Sequence, residues 1–246
     1  MMSPHRFMAR EMKYRPTAAV LLVRVLGALA LGSYSSIALA ADCGASPKPG
    51  VDWSGCSKRN ILLGGSNLGG AQLVATDLTS TDLRGADLSR ANLSNAMLVR
   101  TSLKGATAVG AVFEKAIGQR TSFVDAQLAR ASFAKAEMQR ADFTGANLSG
   151  AEFDSAGIGR AKFSRANLAG VNFRFANLAR ADFRNAEAGR VIDVTGAYMF
   201  RTRLEGFDLS KANGLASWQI DMACGDDRTL LPPGITAPLH WPCPEE

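Results

Sequence analysis

The sequence predicts an all-β solenoid with small capped ends, and three observations predict it. A large apolar residue recurs every five positions from Leu63 onward. A small residue, most often Ala, stands two positions before each one. A polar residue lies between them, as in Ala86-Asp87-Leu88 and Ala146-Asn147-Leu148. A period of five suits neither a helix, which repeats about every 3.6 residues, nor a flat strand, which repeats about every two. It suits a chain that turns one corner per repeat, with the small and large positions pointing inward and the other three facing water.

Residues 1–40 read as a secretory signal. Arg6, Arg10, Lys13 and Arg15 form a basic leader, Ala18 to Leu31 an apolar stretch, and Ala38-Leu39-Ala40 a small-x-small cleavage pattern that places the mature start at Ala41. Met8 and Met12 are alternative starts. The apolar stretch is short and holds Arg24, which suits a membrane span poorly, although an uncleaved anchor is the rival reading. Asp42 before Cys43 argues against lipidation, since a lipoprotein signal wants a small residue there.

Removing this segment changes the charge. The full chain is formally +6, but 23 basic and 21 acidic groups remain from residue 41 onward, near +2. That bias is too small to argue for nucleic acid.

Residues 41–60 and 216–246 read as caps around a solenoid spanning 61–215. An open stack exposes unpaired edges, and each end holds two of the four cysteines: Cys43 and Cys56 before the repeats, Cys224 and Cys243 after them. Export implies an oxidising compartment, where four thiols allow three connectivities. Local pairing, Cys43–Cys56 and Cys224–Cys243, is favoured because a long solenoid holds its ends apart. A metal site is not expected, since neither pair has CxxC spacing and His240 is the only histidine past residue 40. Trp53, Trp218 and Trp241 are expected in the cap cores.

Between the caps, one unbroken frame runs from Leu63 to Ala188, 26 positions, with all but Ala108, Gly118 and Ala188 large and apolar. Of the 26 preceding small positions, 19 are Ala. A gap of Leu-to-Ala size costs about 2–5 kcal/mol. A local bulge turning Val109 and Ile117 inward is therefore expected at Ala108 and Gly118. After Ala188 the frame slips by one and resumes at Val194, Met199, Leu204 and Leu209.

The A(D/N)LXX pattern resembles the pentapeptide-repeat family across about 155 of the 246 residues. The flanks, with Pro49-Gly50-Val51-Asp52-Trp53-Ser54-Gly55-Cys56 before and Trp241-Pro242-Cys243 after, look like family members from bacterial envelopes. The resemblance implies a right-handed quadrilateral β-helix of 20 residues per coil. In that register Phe113, Phe133, Phe153 and Phe173 form one interior column. Phe123, Phe143, Phe163 and Phe183 form another on the opposite wall.

The same register lines up Arg100, Arg120, Arg140, Arg160 and Arg180 along one edge. These five are the candidate binding residues, for an anionic envelope polymer, a phosphorylated head group or an acidic protein face. The plainer reading is that long solvated side chains shield the solenoid wall. Asp142 and Asp182 lie near enough in sequence to relieve some of the mutual repulsion. No catalytic constellation, phosphate-cradling loop or cofactor motif is apparent.

The leading expectation is thus a non-enzymatic, periplasmic or secreted scaffold or binding module, with no stable membrane span after cleavage. Its partner would be a protein or an anionic envelope component, not nucleic acid, and a homodimer through one end is left open. Some family members look like acidic DNA duplexes and engage type II topoisomerases. The export signal and the 19 basic against 14 acidic residues of 61–215 disfavour that role here.

Overall fold

The computed structural model describes residues 41–244. The predicted signal, residues 1–40, and its cleavage pattern lie outside the described residues. The chain climbs by parallel pairing of residues 20 apart, from Asp52 with Gln72 through Asn167 with Glu187, and turns every five residues. The ladder thus starts ahead of the boundary expected at 61.

Each five-residue unit places its backbone donors in a fixed way. In the unit around Leu88, the Ala86 N–H donates to the Leu83 carbonyl and closes the preceding turn at 3.1 Å. Asp87 donates to Ser66 in the coil before, and Leu88 and Arg90 donate to Thr107 and Val109 in the coil after. Only the residue following the large one is left over, and the Asp or Asn of the motif takes its N–H. Asp87 Oδ1 accepts from Ser89 at 2.9 Å, Asn92 from Ser94 at 3.1 Å and Asn167 from Ala169 at 3.0 Å. This is the physical reason for Asp or Asn at that position: a short side-chain acceptor completes the backbone account.

The interior is a shaft of side chains. Phe113, Phe133, Phe153 and Phe173 stack with centroids 4.7, 4.7 and 5.3 Å apart. The second column, Phe123 to Phe183, stacks at 4.8, 5.2 and 4.7 Å. The two columns meet edge to face, as Phe133 and Phe143 do at 5.7 Å and 88°. Such contacts add about 0.5–1.5 kcal/mol per pair beyond area burial. The occasional Thr at a small position is also satisfied: Thr76, Thr101, Thr121 and Thr202 donate to carbonyls of the coil before at 2.7–2.8 Å.

The bulge expected at Ala108 and Gly118 is absent. Pairing of Thr107 with Gln127 and of Ile117 with Glu137 runs straight through, and Ile117 stays exposed. A Cβ on Gly118 would lie 2.3 Å from Met138 Sδ and 2.7 Å from Thr121 Oγ1, so these neighbours already occupy the space. An unbranched, adaptable Met fills the gap more cheaply than a distorted backbone would. The slip near Arg190 is present: Asn172 pairs with Asp193, 21 residues on, and the offset of 21 persists to Asp182 with Arg203. The extra residue leaves Val191 exposed while Ile192 and Val194 return to the core.

Both ends carry a disulfide, Cys43–Cys56 and Cys224–Cys243. At the first end Trp53 is buried, its Nε1 donating to the Ala45 carbonyl at 3.2 Å, with Lys58 Nζ over the ring at 4.0 Å. At the second, the short helix α1 (Ser217–Met222) buries Gln219, whose Nε2 donates to the Val194 and Ala197 carbonyls. Trp241 Nε1 donates to the Ala223 carbonyl at 2.8 Å. Trp218 departs from expectation. It is 48% exposed, because helix α1 turns Gln219 and Ile220 inward instead. No helix among the described residues is long and apolar enough to cross a membrane.

Candidate functional site

The corner of each regular coil side takes a residue with positive φ two positions after the central position of the frame. Among the described residues 12 glycines and 19 other residues stand at such corners. Gly adopts this conformation freely. For a side chain bearing Cβ it costs roughly 1–2 kcal/mol.

The five predicted arginines all occupy such corners, with φ of 57° at Arg100, 59° at Arg120, 61° at Arg140, 59° at Arg160 and 58° at Arg180. They also stand one above another. The Arg100 N–H donates to the Gln119 carbonyl, Arg120 to Gln139, Arg140 to Gly159, Arg160 to Ala179 and Arg180 to Phe200, at 2.8–3.1 Å.

A sixth arginine belongs to the column. Arg201 (φ 52°) follows Phe200 directly and donates to Met222 at 2.7 Å. The one-residue insertion moves it off the 20-residue spacing, which is why a search at that spacing misses it. Counting from the resumed frame finds it, since Arg201 stands to Met199 as Arg100 stands to Leu98.

Only some of the described arginines of the wall are paired with a carboxylate. Arg59, Arg84, Arg174, Arg184, Arg203 and Arg228 each pair with a carboxylate at 2.6–3.6 Å. Among the described residues, Arg100, Arg120, Arg140 and Arg160 have no such partner, and neither do Arg90, Arg130, Arg165 and Arg190. What sets the four apart is that they stand in consecutive coils of one corner. The carboxylates expected to relieve them are engaged elsewhere. Asp142 accepts from the Thr144 N–H at 3.0 Å, and Asp182 binds Arg184 at 2.7 Å. Burial pushes the Asp182 carboxyl up, but bonds from Arg184 and the charges of Arg184 and Arg203 outweigh it and hold the group below its ordinary range.

Beside the column runs a groove of about 420 Å³ lined by Val99, Gln119 and Gln139 with Arg100, Arg120 and Arg140. Glu137, on the same face, is bonded to the Gln139 amide. At its C-terminal end the column reaches a larger cavity of about 570 Å³, where Arg180, Arg201 and Arg203 meet Phe200, Asp221 and His240. Among the described residues no group of three His, Cys, Asp or Glu side chains is placed to hold a metal.

The family model for pentapeptide repeats matches residues 59–95, 96–133, 121–156 and 159–191, eight copies covering more than half of the chain. The chain belongs to the pentapeptide-repeat family. No curated protein matches this pentapeptide-repeat protein. Solved structures similar to it include full-length QnrB1, described as a plasmid-mediated fluoroquinolone resistance protein, at 13% identity over 70% of this chain and 94% of that one, TM-score 0.40. HetL, a pentapeptide repeat protein involved in heterocyst differentiation regulation from the cyanobacterium Nostoc sp. strain PCC 7120, shares 24% identity over 77% of this chain and 86% of that one, TM-score 0.29. A pentapeptide repeat protein of the Arabidopsis thaliana thylakoid lumen shares 31% identity over 41% of this chain and 66% of that one, TM-score 0.31. Family membership makes the coil a right-handed β-helix and points to a scaffold or binding role.

Proposed function

We propose that this pentapeptide-repeat protein is an exported, non-catalytic scaffold that binds an anionic partner along the arginine corner of a quadrilateral coil. In this reading residues 1–40 are removed, 61–215 form the binding rod, and 41–60 and 216–246 close its ends. The observation that carries it is the column itself. Six successive coils place Arg where glycine would relieve backbone strain, and four of the six have no acidic partner. Unpaired like charges at strand spacing, roughly 4.8 Å, repel one another. An arrangement that is unfavourable alone is what an anion would relieve.

Two disulfides fit an oxidising compartment, periplasmic or extracellular. Mimicry of an acidic DNA duplex would need the opposite charge from the net +5 of residues 61–215. The test is retention of the protein on immobilised polyphosphate at low ionic strength and its release at about 0.5 M salt, where screening is strong. Arg100→Gln, Arg120→Gln, Arg140→Gln and Arg160→Gln combined should abolish retention while leaving the circular dichroism spectrum unchanged. Equal retention of this variant sinks the reading.

A further inference from the structure

We infer that the anion is a linear acidic polysaccharide, laid along the arginine corner with one end seated in the C-terminal cavity; this rests on the anion-binding reading above. Four features point to that polymer class rather than to a membrane or a nucleic acid. The charge is a line one residue wide, Arg100 to Arg201, and roughly 24 Å long at strand spacing. A lipid surface presents its charges in a plane and a duplex presents two strands, whereas a single extended sugar chain matches a line.

Amides stand beside the charges. Gln119 and Gln139 line the groove with the guanidinium groups. Gln119 offers both a donor and an acceptor, as sugar hydroxyls require, whereas the Gln139 oxygen is buried and its nitrogen is bonded to Glu137. Arg supplies the planar fork that grips a carboxylate with two bonds.

The same face turns apolar at its C-terminal end. Tyr198 and Phe200 are exposed and lie side by side, ring centroids 6.3 Å apart and 13° from parallel. Arg201 lies over the Phe200 ring at 5.8 Å. Flat aromatic faces in water suit the C–H faces of sugar rings, which polyphosphate lacks. Finally, the line ends in a cavity of about 570 Å³ holding Phe200, Arg201, Arg203 and His240, large enough for a terminal sugar. Asp221, also in its wall, is an acceptor that sugar hydroxyls satisfy.

The test compares oligogalacturonates of defined length with their fully methyl-esterified forms, polyphosphate, and phosphatidylglycerol vesicles, by titration calorimetry and pelleting on the mature chain. The expected result is an affinity that rises with oligogalacturonate length until the chain spans the column and then levels off, with at least about a tenfold loss on esterification. Tyr198→Ala with Phe200→Ala should weaken oligogalacturonate about tenfold and leave polyphosphate unchanged. A thermal melt of the variant confirms its fold. Binding of polyphosphate or vesicles with no preference for the sugar polymer, or indifference to the aromatic substitutions, overturns the polysaccharide while the anion-binding scaffold stands. If no polyanion binds, both fall.

Discussion

At the corner of Arg100, Arg120, Arg140 and Arg160, and at the corner half a coil away, Arg90, Gly110, Arg130, Gly150 and Gly170, the backbone does the same thing. Each residue takes a φ between 56° and 74°, and all but Gly170 donate the N–H to the next coil. The side chains differ: one corner, after Asn60 and Ser80 in the first coils, is arginine from Arg100 on, and the other is mostly glycine. Corner geometry therefore asks only for positive φ, which glycine meets without strain. The uniformity of the arginine corner has to come from outside the backbone. It also survives the insertion near Arg190, where the arginine moves to position 201 and stays in the column.

The largest effect should fall on the shaft that both corners share. Phe143→Ala removes a ring that stacks on Phe123 and Phe163 and meets Phe133 and Phe153 edge to face. It should lower unfolding free energy by about 3–5 kcal/mol in a denaturant titration. A loss under about 1 kcal/mol would mean that the interior is not close-packed and that the corners are not held by it.

Next in size is the glycine corner. A Cβ at Gly110, Gly150 or Gly170 would meet nothing closer than 3.5 Å, so backbone strain alone opposes a side chain there. Gly150→Val should cost roughly 1–2 kcal/mol, and Gly110→Val, two coils away, should add to it nearly independently. A neutral double variant would show that positive φ is cheap in this coil, removing the strain argument for the arginines as well.

Much of this was legible in the sequence, and the exceptions are instructive. The five-residue period is written by the small and large inward positions, and the Phe columns followed once 20 residues were assigned to a coil. Gly118 misled because its neighbour in the column, Met138, reaches across coils, and a one-dimensional pattern does not show which flexible side chain fills which gap. Trp218 misled because composition does not tell which side of a six-residue helix faces the shaft. Arg201 follows from the sequence once the frame that resumes at Val194 is extended to the arginine column. The acceptor role of the motif's Asp and Asn needed the coil-to-coil hydrogen bonds to be seen.

That acceptor role gives a smaller effect with a sign. Bonds from Ser89 hold the Asp87 carboxyl below its ordinary range, and bonds from the Arg84 side chain and N–H do the same at Asp82. At Asp226 burial pushes the value up, but bonds from Arg228, Gly206 and Thr229 outweigh it and bring it to about 2. A carboxylate depressed by folding stabilises above its unfolded value near 4 and loses that contribution as pH falls through its folded value. Thermal stability should therefore drop between about pH 4 and pH 2. Asp87→Ala should cost about 1 kcal/mol at neutral pH, whereas Asp87→Asn keeps the acceptor and titrates no longer. A chain equally stable at both ends of that window would contradict the capping account.

The smallest expected effect on stability is the most informative about the arginine corner. If those side chains exist to shield the wall, Arg120→Gly, Arg140→Gly and Arg160→Gly strip three stems from it and should destabilise the coil. If they are held in place for a ligand, glycine relieves the strain at φ near 60° and removes like-charge repulsion, offset in part by the greater freedom of glycine in the unfolded chain. The net change should then stay within about 1 kcal/mol per site, with polyanion retention lost. Arg140→Ala separates the two terms, because it removes the stem and the charge but keeps the strained Cβ. It should melt below Arg140→Gly, and the reverse order would show that positive φ carries no net strain at this corner.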